Sequence, residues 1–387
     1  MTGLVVTTDI TDATPACFAS HVNLRIEEDS IAEQEVGEHP LGRVVDLMLG
    51  GGRCHFLPNT TEGGCRADAK DITKLAQDKH GWTYVDDRSG FDGLKLGSEV
   101  KLPLLGLFAP TDIPFELDRR NMNDIYPSLD EMARTALTAL EAATQDSEQG
   151  FFLMIEGSRI DHAGHGNDPA AQVHEVLSFD KAFSSVLDFL DKSDTDGVVV
   201  TTSDHETGGL SVAKQTQPNY PHYLWYPAVL ANASNSAEYL ARKLNKHLAT
   251  SSPSTTDLKE YITTELILNG LGINDPTDTE IQQLIDYPLL AAYIFANIIS
   301  YRAQIGWSTH GHSAVDVNIY GSKGTEVLHG NHENIEVGKF LRDYLDVDVK
   351  PITKKLRKAA KQSAGENAID FEEVEIISPY LKKLQGL

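Results

Sequence analysis

A chain of 387 residues, 41% hydrophobic and 23% charged, has room for one large α/β unit or two modest domains of roughly 100–200 residues. With 57 acidic against 33 basic residues the formal charge is −24, a surface that repels nucleic acid and anionic lipid. Three cysteines exclude a disulfide framework and a thiolate zinc cluster, and no apolar run reaches the ~20 residues of a membrane helix.

The first element expected is a strand over "GLVVTT" (residues 3–8), which runs into the polar "DITDAT". A second, "VVDLML" (44–49), runs into three glycines. Cys54 and Cys65 then flank the loop "HFLPNTTEGG" at a spacing that allows one disulfide in an oxidising compartment. The same loop holds the glycosylation acceptor Asn59-Thr60-Thr61, and a second, Asn232-Ala233-Ser234, lies downstream. Together they point to a secretory or vacuolar route.

A helix follows over "SLDEMARTALTALEAA", opened by a capping box of Ser128 with Glu131 three residues on. The strand "FFLMI" (151–155) runs into "EGSRID". Asp168 and Pro169 are placed as N-cap and first residue of a long helix, along which Val173, Val176, Leu177, Phe183, Val186 and Leu190 form one apolar stripe. A further strand, "DGVVVTT", runs into "SDHETGG".

Unbroken apolar runs suggest strands buried on both faces. Their alternation with helices predicts a three-layer α/β/α sandwich around a mainly parallel sheet. Residues 206–308 break the pattern and read as a helical or irregular insertion, within which "YPLLAAYIFANIISY" is a buried helix. The core then comprises residues 1–205 and 309–349. A charged tail, 350–387, starts with the basic "KPITKKLRKAAK" and continues into the acidic "DFEEVEII".

Sites in such sheets form beyond the carboxyl ends of the strands, where the ligand-type residues of this sequence collect. Asp161 and His165 are four apart, so one helical turn puts them on one side. Asp204 and His205 are adjacent, which suits a sharp turn. His310 and His312 precede another alternating strand. Zinc accepts such imidazole and carboxylate donors, whereas magnesium requires oxygen.

The segments "FFLMIEGSRIDHAGHG", "TTSDHETGG" and "THGHSAVDVNIYG" resemble, in order, the three metal-ligand segments of the alkaline phosphatases. "LGGG", "PLLGLFA" and "PFELDRR" resemble that family's linking segments, and "TGLVVTTDITDATPACFASHVNLR" the stretch before its phosphate-binding arginine. The wording of "WSTHGHSAVDVNIYG" and "GNHENIEVGKFLRDYL" is most similar to the fungal vacuolar branch.

The resemblance implies hydrolysis of phosphate monoesters at two zinc ions and one magnesium ion. It assigns Asp161, His165 and His310 to the first zinc, Asp204 and His205 to the second, and Thr14 and Glu156 to magnesium. Arg25 grips two phosphate oxygens, a task suited to a planar guanidinium. Asp12 and His162 fall beside the magnesium pocket, and His312, with no matching ligand role, is expected as a supporting residue. The family also implies a homodimer held at the vacuolar membrane through an N-terminal anchor.

One expected segment has no counterpart. The family's nucleophilic serine and the aspartate bridging zinc and magnesium precede "ATPA", which here begins at Ala13. Ser203 and Ser313 lack the expected neighbours. The resemblance therefore implies an N-terminally truncated member. Its alternative is a metal-binding pseudoenzyme that retains one zinc site without turnover.

Overall fold

The computed structural model describes residues 1–194 and 196–364. Five strands, β1 (Thr2–Asp9), β2 (Leu47–Gly51), β3 (Thr83–Val85), β4 (Leu104–Leu107) and β5 (Phe152–Ile155), form one sheet in the order β3-β4-β2-β1-β5. Every pairing in it is parallel, with Leu4 opposite Met48 on one side and Met154 on the other.

Alternation along the strands builds a core on each face. Val5, Leu47, Leu49 and Leu104 pack against Met132, Ala133 and Ala136 of helix Leu129–Thr144 and Ala182 of helix Pro169–Lys192. Leu4, Val6, Met48, Leu105 and Leu107 face Ala32 and Val36 of helix Glu28–Val36 and Ile72 and Ala76 of helix Ile72–His80. These are the helix, sheet and helix layers anticipated from the apolar runs.

Both helix starts behave as their sequences dictate. Ser128 and Glu131 exchange the two hydrogen bonds of a capping box, and Asp168 accepts from Ala170 and Ala171 N–H ahead of Pro169. The long helix departs from its stripe, however. Ala170, Ala171, Glu175 and Ala182 are its buried residues beside Pro169, while Val173, Val176 and Leu177 are exposed. Close approach to helix Leu129–Thr144 is made through small side chains, and periodicity alone cannot say which face is pressed inward.

β6 (Val200–Thr202) also departs from expectation. It lies outside the five-stranded sheet and pairs antiparallel with β9 (Ile319–Gly321), Thr201 opposite Tyr320. An apolar run marks an extended segment but not its partner.

β7 (Leu210–Val212) and β8 (Ile305–Trp307) pair antiparallel and close the neck of the intervening segment. Beyond that neck, Leu240, Leu244, Leu266, Phe295 and Ile299 form a core that also takes in Leu117 and Ala170. "YPLLAAYIFANIISY" becomes a short turn and the helix Ala291–Ala303, largely buried there. Among the described residues no single helix is long and apolar enough to cross a membrane. The basic tail segment lies in helix Val349–Ala364, while "DFEEVEII" falls outside the described residues.

Candidate metal centre

Beyond the carboxyl end of β1, the Asp12 carboxylate caps the short helix Ala13–Ala19 by accepting from Ala13 N–H at 2.7 Å. Beyond β5 the ladder continues to Glu156, whose N–H donates to Val5 O, and the Ser158 hydroxyl donates to the Glu156 carboxylate at 2.8 Å. Burial raises the Glu156 carboxyl above its ordinary range, with Asp12 and Asp204 adding repulsion and the Ser158 and Thr14 hydroxyls opposing it. The Thr14 hydroxyl and the Glu156 carboxylate thus meet, with the charges of Asp12 and Asp204 near enough to act on them and with Arg25 and His162 beside Asp12. Such oxygen donors fit magnesium.

Helix Arg159–His165 follows at once and presents the next group. Asp161 and His165, one turn apart, approach to 3.3 Å through Oδ2 and Nε2. Opposite them, His205 Nε2 lies 3.2 Å from Asp204 Oδ2. The Thr207 hydroxyl donates to Asp161 Oδ1 at 2.5 Å and sits 3.2 Å from His205 Nδ1, tying the two segments together. Glycine is required at 208, where φ is +96° and a Cβ would stand 2.6 Å from the Trp307 ring.

The structure separates the two histidines of "HGH". His312 stacks on His205 with ring centroids 3.5 Å apart, and one ligand atom each from Asp161, His205 and His312 all lie within 4.8 Å of one another. His310 instead points Nδ1 at the His165 carbonyl at 2.8 Å and turns its ring edgewise to Tyr293. His312, which the resemblance had left without a ligand role, thus comes beside Asp161 and His205, while His310, expected as a ligand, turns to the His165 carbonyl. The two differ by two positions in an irregular loop, so spacing could not choose between them. With His165, 3.3 Å from Asp161 and with its ring 5.2 Å from that of His312, one carboxylate and three imidazoles gather here, donor types that fit zinc.

Arg25 stands at the open side. Its Nη2 is 2.5 Å from Asp12 Oδ1, and its side chain is 66% exposed, so its remaining N–H groups face solvent. Burial works against the charge on Asp12, yet hydrogen bonds from His162, Ala13 N–H and Arg25 hold it well below the usual carboxylate range. His162 Nδ1 lies 3.2 Å from Asp112 Oδ2 and its Nε2 lies 3.8 Å from Asp12 Oδ2. Burial pulls His162 down, but these two carboxylates outweigh it and raise the imidazole to about 10.

Sequence reading missed Asp9, Asp112 and Thr207. Asp9 closes β1, donates its N–H to Asp112 Oδ1, and is pushed up to about 7 by burial and then by Asp112 and Glu28. Thr207 and Asp9 carried a signal, their places in "SDHETGG" and at the start of "DITDAT"; Asp112 lies in "APTDIP", which has none. Next to Asp9, His55 bridges Glu28 at 2.9 Å and Asp29 at 3.1 Å. Cys54 and Cys65 are joined as a disulfide, Cα atoms 5.0 Å apart. Of the serines near the metal ligands, the Ser203 hydroxyl donates to His205 O at 2.7 Å and that of Ser313 to the Glu206 carboxylate.

Residues 1–347 match the family described as "Alkaline phosphatase". The chain belongs to the alkaline phosphatase family. It is 49% identical to the "Repressible alkaline phosphatase" of Saccharomyces cerevisiae, a match covering 98% of this chain and 69% of that protein. It is 45% identical to an "Alkaline phosphatase" of Schizosaccharomyces pombe, covering 93% and 66% respectively. Its fold is similar to that of a cold-active alkaline phosphatase from Shewanella sp., with a TM-score of 0.69, 26% identity, and coverage of 89% of this chain and 75% of that one. The chain spans about two thirds of the length of the fungal relatives it matches.

Proposed function

We propose that the chain hydrolyses phosphate monoesters, with water, to an alcohol and inorganic phosphate. The convergence of Asp161, His205 and His312, together with an exposed cation, Arg25, held on Asp12, carries this reading. Asp161, His165 and His312 would hold one zinc ion, Asp204 and His205 would contribute to a second, and Thr14 and Glu156 would hold magnesium. Bound zinc supplies a Lewis acid for the attacking and leaving oxygens of an in-line displacement.

The protein residues do the gripping. Arg25 can keep one N–H on Asp12 and offer a fork of others to two phosphate oxygens. Asp12 fixes the orientation of that guanidinium, and His162 neutralises the other Asp12 oxygen, which would otherwise repel the arriving phosphate. Thr207 holds Asp161 in place. Such a site recognises the phosphate and leaves the alcohol in solvent, so a broad range of monoesters is expected.

A second reading is a chain that holds metal and phosphate without forming a phosphoseryl intermediate. It is favoured by the engagement of the serine hydroxyls near the ligands, Ser158 on Glu156, Ser203 on His205 O and Ser313 on Glu206. Hydrolysis of p-nitrophenyl phosphate by the 387-residue chain, at alkaline pH with zinc and magnesium, separates the two. Turnover abolished by His312→Ala supports the hydrolase. A folded, zinc-loaded chain with no turnover supports the second reading.

The proposal extends to a vacuolar homodimer glycosylated at Asn59 and Asn232, both of which are exposed. Sedimentation and a glycosidase mobility shift test it.

A further inference from the structure

Arg159 is a cation with almost no access to water. Its side chain is 3% exposed, and its guanidinium lies 3.7 Å over the Phe115 ring and donates to Ile113 O at 3.1 Å. A charge this enclosed is tolerable only when paired. Two carboxylates do so from opposite sides. Glu238, on helix Ala237–Thr250 beyond the β7–β8 neck, accepts from Nη2 at 2.7 Å. Asp112, in the loop after β4, places Oδ2 3.6 Å from Nε.

That same Asp112 Oδ2 also holds His162 Nδ1, and His162 faces Asp12, which holds Arg25. Six side chains therefore stand one against the next from the far helix to the phosphate-gripping arginine, carboxylates alternating with nitrogen bases: Glu238, Arg159, Asp112, His162, Asp12 and Arg25. Asp112 is the junction, because Arg159 and His162 compete for one oxygen. Arg159 Nη2 is held by Glu238 at 2.7 Å while its Nε stays 3.6 Å from that oxygen without a hydrogen bond, and His162 stands closer to it at 3.2 Å.

We propose that Glu238, acting through Arg159, is a positioning residue for Arg25. This rests on the reading of Arg25 as the phosphate grip. With Glu238 neutralised, the carboxylates left near Arg159 are Asp112 and the buried Glu175, whose carboxyl already accepts from Glu116 N–H, and Asp112, 3.6 Å from Nε, is the one it takes over. His162 then loses its anchor, the second oxygen of Asp12 is left uncompensated, and Asp12 competes with phosphate for the Arg25 guanidinium. Among the described residues Glu238 pairs with Arg159 and Arg242 and not with the ligand side chains; its effect passes along contiguous ion pairs.

The test compares Glu238→Gln, Glu238→Asp and a control, Asn235→Ala, in the full zinc- and magnesium-loaded chain. Asn235 also ties the far segment to the core, donating to Asp118 Oδ1 at 3.1 Å, but lies off the relay. Calorimetry with inorganic phosphate is expected to show roughly three- to thirty-fold weaker binding for Glu238→Gln, partial recovery for Glu238→Asp, and no change for Asn235→Ala. In parallel, the side-chain Nε–H resonance of Arg25 is expected to move in Glu238→Gln and stay put in Asn235→Ala.

A purely structural role would lower the melting temperature of both Glu238→Gln and Asn235→Ala without separating their phosphate affinities. Equal affinities in parent and Glu238→Gln, or equal losses in Glu238→Gln and Asn235→Ala, overturn the relay. A parent chain that binds no phosphate overturns the grip assigned to Arg25; an unmoved Arg25 resonance in Glu238→Gln would then sink the relay separately.

Discussion

The imidazole of His312 lies nearly flat on that of His205, with centroids 3.5 Å apart and 20° between the ring planes. The two come from segments more than a hundred residues apart, and the contact brings a nitrogen of each within 4.8 Å of an Asp161 oxygen. His310, two residues away, is spent on the His165 carbonyl. Replacing His312 by alanine is expected to cost more zinc affinity than the 10- to 100-fold that loss of an outer hydrogen-bond partner costs. His310→Ala is expected to cost less. Equilibrium dialysis against zinc ranks them; the reverse order would return the ligand role to His310.

Thr207 is such an outer partner, its hydroxyl holding Asp161 at 2.5 Å. Thr207→Val keeps the shape and removes the hydrogen bond. Zinc affinity is expected to drop roughly 10- to 100-fold with little change in melting temperature. Thr207→Ser should restore most of it.

Gly51 ends β2 where the backbone after β4 passes over it. A Cβ there would stand 2.2 Å from Thr111 O, the same oxygen that accepts from Gly52 N–H at 3.1 Å. Neither backbone has slack, so Gly51→Ala should destabilise the fold by about 1–3 kcal/mol. It should also displace Asp112 and weaken phosphate binding. Gly93, with nothing within 4 Å of its Cβ position, is the control: Gly93→Ala is expected to leave the urea midpoint unchanged or raise it.

Glu175 accepts from Glu116 N–H beneath the loop that also seats Arg159, and burial raises its carboxyl from 4.5 to about 7 despite that hydrogen bond and Arg159. An acid raised on folding holds its proton more tightly in the folded state. Its contribution is full below about 4.5 and is lost as pH rises through about 7. The swing is on the order of 3 kcal/mol. Glu175→Gln retains the acceptor and abolishes the titration. Its stability relative to the parent should therefore rise between pH 5 and pH 8; a constant difference in urea midpoint across that range would refute the assignment.

Much of this arrangement was legible before folding. The runs "GLVVTT", "VVDLML" and "FFLMI" became β1, β2 and β5 because an unbroken apolar stretch is stable only with both faces covered. Ser128 with Glu131, and Asp168 with Pro169, set helix starts because the partners lie within one turn. Asp161 and His165 met for the same reason. The β3 and β4 partners, the separate β6–β9 ribbon and the outward face of helix Pro169–Lys192 were not legible, since each depends on what the rest of the chain brings alongside.

The sequence by itself determined which residues could bind a cation or a phosphate and that they gather after strand ends, because strand length, helix period and side-chain chemistry are local properties. Only the tertiary structure decided that His312 rather than His310 joins Asp161 and His205. It alone also placed Asp112 and Arg159 between Glu238 and the arginine that faces solvent. Those choices turn on distances of a few ångströms between segments far apart in the chain, which are fixed only once the sheet, the helices and the neck at β7 and β8 are packed together.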